Sequence, residues 1–536
     1  MSSVSSTKPS PRAPRFTAAF DRLRSTTVNW PIAVVVGMVA FVARLAPVLA
    51  GGGLSGIGNY DDTVYFGSAV ALVNAQVPYR DFLLLHPPGT VVALVPAALV
   101  ARLTTEGLGL ALARLSWMVM GSLSAVLVAR LLRPAGRSAS LIGGLAYALS
   151  FPAIYTELTT QLQGLQNFCL LAGLLLLRRV TESTRSTDVR RWRLLLLAGG
   201  VIGLGATAKI WGLVAVLLIA GWLVAQRRLR QAGVVTLGAA LGTTLVCLPF
   251  FAVAPRRMWH QVVAAQVGRP ADARLDARRV IDILGLHRVI AEPTAELLPL
   301  TAVVVLVGVL LAATTRLGRL AATLLVGLGG VLLVAPSWFP HYAALTAPAL
   351  ALLVGSSVGA ISRWFAAAVT GRGSPRRRAW ARAVPSAIAV LVVLAVAVPL
   401  LDFRFGQPFP SATFGAAVAR TPGCVTSDSV VALLQMDVLG RNISRGCPTV
   451  VDLGGYSYAP AENGPVVLPR RLDPVWQAEA VTYLRSGRAT VVVVYRKQLT
   501  PASRAAITDG RVLARRDGLK LTAPHHRPSS PSVGPR

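Results

Sequence analysis

Long apolar stretches alternate with short, arginine-rich polar ones from about residue 30 to residue 401. Several of these stretches approach or exceed the roughly 20 residues needed to cross a bilayer as a helix. The runs at 30–50, 108–132, 140–151, 165–177, 234–254, 297–315, 321–336, 342–361 and 385–401 each read as one crossing. The run at 194–226 is too long for one crossing and has basic residues at both ends, so it reads as a helical hairpin turning near Lys209. That makes about eleven spans. The run at 90–103 is short and holds Pro96. If it crossed, the next span would end outside with Arg130, Arg133 and Arg137, against the tendency of Lys and Arg to stay in the cytoplasm. It is therefore expected to lie in or along the outer interface.

After Asp402 the pattern becomes that of a small α/β domain, expected over residues 402–521. Short apolar runs at 430–434, 449–453 and 490–495 read as buried strands. Residues 473–486 read as a helix, opened by the capping pair Asp473-Pro474. Residues 522–536 are rich in Pro, Ser and Arg, the composition of a disordered tail. The chain shows no internal repeat. The fold expected is a polytopic α-helical membrane protein with a small C-terminal α/β extracytoplasmic domain. Residues 1–29 would form a basic cytoplasmic tail, 30–401 the membrane domain, and 51–107 its first external loop.

Charge sharpens the topology. The chain has 54 Lys and Arg against 22 Asp and Glu, a formal charge of +32. The arginine clusters fall between apolar runs and lack interleaved aromatics, which argues against nucleic acid as a partner. Placing the basic tail and loops inside a plasma membrane puts the N-terminus in the cytoplasm and the C-terminal domain outside. Cys169 and Cys247 sit in apolar runs and read as small core residues. Cys424 and Cys447 lie in the polar C-terminal region and can pair if it faces an oxidising compartment. No cysteine spacing resembles a zinc or iron–sulfur site.

The candidate chemistry gathers at the outer face. Asp61 and Asp62 are adjacent in a chain poor in carboxylates, and Tyr60, Tyr65 and Phe66 limit their hydration. Two like charges in contact cannot both ionise freely, so one should have a raised pKa, which suits a general base. Both also fit the bland role of acids at a helix N-terminus. Arg80 and Asp81 follow, and then His86-Pro87-Pro88-Gly89. His86 is a simple cap before a proline break, or a contact to an anionic headgroup. Arg114 and Lys209 lie in apolar surroundings, where a cation is costly unless it snorkels or is paired. Glu157, Gln161, Gln163 and Asn167 cluster at an outer end, as do Trp338, Phe339, His341 and Tyr342. Acids to handle a hydroxyl and cations to hold a phosphate, all on one face, point to group transfer from a lipid-linked donor. Arg269 in the external loop 255–296 adds a further cation.

An acidic pair after the first span, followed by His-Pro-Pro-Gly before an interfacial helix, resembles the GT-C glycosyltransferases. The likeness is to the protein O-mannosyltransferase-like and aminoarabinose-transferase-like groups, of the glycosyltransferase family 39 type. It covers residues 30–212 and extends more loosely to 361. It implies a GT-C-like membrane enzyme that moves a sugar from a polyprenyl phosphate to an acceptor hydroxyl of a cell-envelope glycan, lipid or protein. It also implies that Asp61 is the base, with Asp62 beside it, and that His86, Arg114, Lys209 and Tyr342 hold the donor phosphate; Arg269, from the residues alone, is expected to join them as a further cation. Tyr65, Arg80, Asp81, Glu157 and His341 would serve the acceptor or support the site. The sequence departs from the pattern at Leu85, where some members carry an acid, and at Val64, where some carry a base. A divalent cation stays open on this reading, and no other cofactor is implied. The rival readings are a transporter or flippase of a lipid-linked sugar, and a non-catalytic subunit of cell-envelope assembly.

Overall fold

The computed structural model describes residues 30–182, 188–267, 276–369, 375–458 and 468–524. The expected cytoplasmic tail and nearly all of the expected C-terminal tail lie outside these residues. The chain opens with α1 (Trp30–Leu49), and the acidic pair then begins α2 (Tyr60–Val73). The external loop expected at 51–107 is thus largely helical. After α2 come α3 (Gly89–Leu103), α4 (Glu106–Leu132), α5 (Arg137–Ala148), α6 (Phe151–Glu157) and α7 (Leu162–Glu182). The expected hairpin is α8 (Asp188–Ala206) and α9 (Gly212–Ala225), and α10 (Leu229–Val253) follows. A short segment around Pro255–Trp259 leads on to α11 (Ala277–Ile283), α12 (Leu297–Ala312), α13 (Arg316–Val334), α14 (Ala347–Val369) and α15 (Pro375–Ala397).

The protein is embedded in the membrane. Among the described residues five helices are long and apolar enough to cross it, or six if the α5–α6 pair, bent by 57°, counts as one broken span. Apolar side chains of α1, α4, α5, α7 to α10, α13 and α14 form one core. Small residues bring α8 and α10 together. A Cβ on Gly203 would lie 2.7 Å from the Ala239 Cα. Helices in a bilayer use such close approach, because lipid offers them no hydrophobic drive to associate.

The C-terminal part is an α/β unit. Its four-stranded sheet has the order β1 (Val425–Ser427), β2 (Ala489–Val491), β4 (Leu519–Ala523), β3 (Arg511–Arg516). β1 runs parallel to β2, pairing Val425 with Ala489, and β4 is antiparallel to both its neighbours. Two of the three expected strands are absent. Val430–Gln435 is a helix, and 449–453 forms no regular element. A short apolar run buried on every side carries no period that separates strand from helix. The helix Pro474–Ser486 is as expected, with the Asp473 carboxylate accepting from the Val475 and Trp476 amides at 3.0 Å each.

This unit is not packed apart from the helices. Val64, Phe66 and Val70 of α2 share a core with Val430, Leu434 and Leu439. Glu106, the first residue of α4, accepts from the Leu439 and Gly440 amides at 3.0 and 2.6 Å, while its own amide donates to Asp437 at 2.8 Å. Cys424 and Cys447 form a disulfide. Closing that loop is worth about 3 kcal/mol in the chain-entropy model. Non-reducing mass mapping of native protein should therefore yield one crosslinked peptide, and reduction should lower the unfolding temperature. Two freely alkylated thiols in native protein would contradict the pairing.

Candidate active site

The two adjacent acids meet opposite environments. Asn59 caps α2, its side chain accepting from the Asp61 amide at 2.9 Å. Both acids then fall in the first helical turn and point to different sides. Asp62 is fully buried, with its Oδ2 2.9 Å from Arg114 Nε. Burial pushes its carboxyl up from the ordinary value, and the Arg114 guanidinium opposes the shift. The raised acid is therefore Asp62, through burial rather than through repulsion by its neighbour. Asp61 is 40% exposed and lies 4.0 Å from His341 Nε2.

From Asp61 a line of contacts crosses the chain. The His341 ring meets Tyr342 edge-on with centroids 4.8 Å apart. Lys209 Nζ sits 3.5 Å from the Tyr342 ring centroid and 4.1 Å from that of Trp211. Lys209 is 2% exposed at the turn between α8 and α9, so it is buried rather than snorkelling. Aromatic faces attract such a cation.

The His86-Pro87-Pro88-Gly89 segment docks on the same turn. The Gly89 amide donates to the Thr207 carbonyl at 2.8 Å. A Cβ on Gly89 would press on the Thr207 side chain and sit 2.7 Å from its carbonyl carbon, so only glycine fits. The Tyr79 hydroxyl donates to the His86 carbonyl at 2.7 Å, and the rings of Tyr65 and His86 lie 6.0 Å apart. Gln261 and Gln266 pin the approach, bonding the Leu84 amide and the Leu85 carbonyl at 3.0 Å each.

Several expected site residues are placed elsewhere. Arg114 is 1% exposed, and its guanidinium is spent on Asp62 and on the carbonyls of Leu54 and Gly56. It ties the first turn of α2 to α4. Glu157 is fully buried, accepting from Arg44 Nε at 2.9 Å and from the Tyr147 hydroxyl at 2.6 Å. Such a buried, paired carboxylate supports the bundle. Arg80 and Asp81 pair with each other at 2.8 Å. The Arg80 hydrogen bond holds the Asp81 carboxyl below its usual range. Arg269 lies outside the described residues. Among the described residues no group of three or more His, Cys, Asp or Glu is arranged to hold a metal ion.

Sequence reasoning missed Arg44, although a lone arginine in the first apolar run is itself a signal for a buried partner. It also missed the contact of the C-terminal unit with the site. The Tyr60 hydroxyl donates to Asp452 at 3.1 Å and accepts from the Gly454 amide at 3.0 Å. The residue next to Asp61 is thereby tied to a segment almost 400 positions away, which no local pattern reveals.

Residues 84–336 match the family model of Glycosyltransferase family 87. The matched stretch includes Lys209 and the Pro-Pro motif and stops short of His341. The protein is a membrane glycosyltransferase with a GT-C-type fold. Its fold is shared with ArnT from Cupriavidus metallidurans, solved in a crystal structure bound to undecaprenyl phosphate. The two are 15% identical with a TM-score of 0.57, over 94% of this chain and 100% of that one. It is shared as well with the oligosaccharyltransferase AglB of Archaeoglobus fulgidus, in complex with an inhibitory peptide and a dolichol-phosphate. Here the identity is 13% and the TM-score 0.54, over 87% of this chain and 69% of the other. No match is found among curated protein sequences.

Proposed function

We propose that this enzyme transfers a sugar from a polyprenyl phosphate to an acceptor hydroxyl at the outer face of a bacterial plasma membrane. The observation that carries the reading is the contact line Asp61, His341, Tyr342, Lys209. It sets a half-exposed carboxylate and a buried cation at the two ends of one short path. In this scheme Asp61 takes the proton of the acceptor hydroxyl. The acceptor oxygen attacks the anomeric carbon as the bond from that carbon to the phosphate oxygen breaks. The leaving polyprenyl phosphate then carries the negative charge, which Lys209 and His86 stabilise. His341 orients Asp61, and Tyr342 positions Lys209. Asp62 acts through Arg114 by fixing the first turn of α2. The relatives solved with undecaprenyl phosphate and dolichol-phosphate support a lipid-phosphate donor. The Cys424–Cys447 disulfide supports an oxidising, extracytoplasmic side for the C-terminal unit. The basic character of residues 1–29 supports a cytoplasmic N-terminus.

The test is direct. Purified enzyme with a short-chain polyprenyl-phosphate sugar and envelope glycan acceptors should release polyprenyl phosphate and yield a glycosylated product. A hydrogen bond to a charged group is worth about 1.5–3 kcal/mol, so Lys209→Met should weaken polyprenyl phosphate binding about tenfold or more. Lys209→Arg should restore part of it, because the charge is kept but the geometry is not. Translocation of the intact donor across vesicles, with no product, would replace this reading by that of a flippase. Unchanged lipid-phosphate binding in Lys209→Met would move the donor site.

A further inference from the structure

The start of α7 carries a row of amides that the transfer scheme leaves unused. Gln163, Gln166 and Asn167 follow at i, i+3 and i+4, so their side chains share one helix face. Gln161 immediately precedes the helix. None of the four is more than 3% exposed. Both polar side-chain atoms of Gln161, Gln163 and Gln166, and the oxygen of Asn167, are buried without a hydrogen-bond partner. Interiors hold few such atoms, because each loses its solvation and regains nothing. Seven of them within residues 161–167 of a membrane-embedded bundle point to a polar ligand.

The row is bounded by the active site itself. Thr160 donates to the Asp62 carbonyl at 2.8 Å, and Trp117 Nε1 donates to the Gln161 carbonyl at 3.0 Å. Asn167 Nδ2 donates at 2.8 Å to the carbonyl of Ala344, two residues beyond Tyr342. The Gln166 backbone lies against Gly205, where a Cβ would sit 3.2 Å from its carbonyl oxygen, one turn before Lys209. The neighbouring charges are taken up by each other, Asp62 with Arg114 and Glu157 with Arg44. The amide side chains themselves are neutral, and each presents an acceptor beside two donors. That is the complement of adjacent sugar hydroxyls, each of which donates and accepts.

We infer that Gln161, Gln163 and Gln166 recognise the transferred sugar through its uncharged hydroxyls, so that this row sets sugar specificity. The inference rests on the reading of Asp61 and Lys209 as the transfer site. The experiment compares two probes, a short-chain polyprenyl phosphate and the same lipid carrying a neutral hexose, on wild type, Gln163→Met and Gln166→Met. Methionine keeps the length of glutamine and removes its polar atoms. Each variant should bind the sugar-bearing lipid about tenfold more weakly, and the bare lipid phosphate within twofold of wild type. Heat stability should be equal or higher, because a buried unsatisfied amide is gone. The corresponding Gln→Asn variants should lose less affinity than the Gln→Met ones. Unchanged affinity for the sugar-bearing lipid, or a fall in heat stability with equal loss of both lipids, would make the row structural and overturn the inference. Wild-type enzyme that binds neither lipid would overturn the donor reading, and the assignment of the row with it. Wild type that binds both lipids alike would leave the donor reading standing and overturn the sugar assignment alone.

Discussion

Asp61→Asn will abolish transfer, lowering kcat roughly 100- to 10,000-fold, the range that general bases contribute. Binding of a short-chain polyprenyl phosphate will stay within about twofold, because a base acts in the transition state and not on the bound lipid. The reason for choosing Asp61 over its neighbour is burial. Asp61 is 40% exposed and beside His341, whereas Asp62 is enclosed and bonded to Arg114. Asp62→Asn should therefore fail in a different way. It leaves the Arg114 guanidinium buried against a neutral group, and breaking a buried pair costs about 3–5 kcal/mol. Its mark is a lower unfolding temperature together with a moderate loss of turnover. Single-turnover kinetics alongside a melting curve separate the two. Near-normal turnover in Asp61→Asn would move the base to another residue.

Arg44→Met will destabilise the helical bundle by about 3–5 kcal/mol, because it strips a buried carboxylate of its cation. Arg44 Nε lies 2.9 Å from Glu157, and the same arginine donates to the carbonyls of Ala40 and Ala148. One side chain thus joins α1, α5 and α6. Glu157→Gln should cost a similar amount, since it leaves the guanidinium unpaired. The double variant should recover much of the loss, because neither buried charge then lacks its partner. The measurement is inactivation half-life in detergent at a fixed temperature, where unfolding of a membrane protein is irreversible. Wild-type half-lives for both single variants would remove the pair from the account of stability. Glu157 also ends the helix that leads to Thr160 and α7, so the single variants should turn over more slowly even while folded.

The helical class was legible because a bilayer allows few solutions. A spanning chain must satisfy its backbone internally, so apolar runs of the right length read as helices. The hairpin around Lys209 was legible for the same reason, as was the Asp473-Pro474 cap. The strands expected at 430–434 and 449–453 were not, because short runs buried on all sides lose their period. Against the eleven crossings expected from charge bias, the described residues hold five helices long and apolar enough to cross, with a bent pair and shorter apolar helices beside them. Length and hydropathy mark a candidate span, but breaks such as the one between Ala148 and Phe151 depend on packing.

At the site, the sequence by itself determined the chemistry on offer: an acidic pair, a His-Pro-Pro-Gly segment, one lysine in an apolar turn and an aromatic His-Tyr pair. Tertiary structure decided how each is used. Asp61 and Asp62 are adjacent on the chain and chemically alike, yet α4 supplies Arg114 to one and leaves the other facing His341. Arg114 and Glu157 looked like site residues because their charge sits in apolar sequence, and they proved to be spent on partners 52 and 113 positions away. The physical reason is that a buried charge is tolerated only with its partner, and partners this distant are chosen by helix packing, which leaves no periodic trace in the chain.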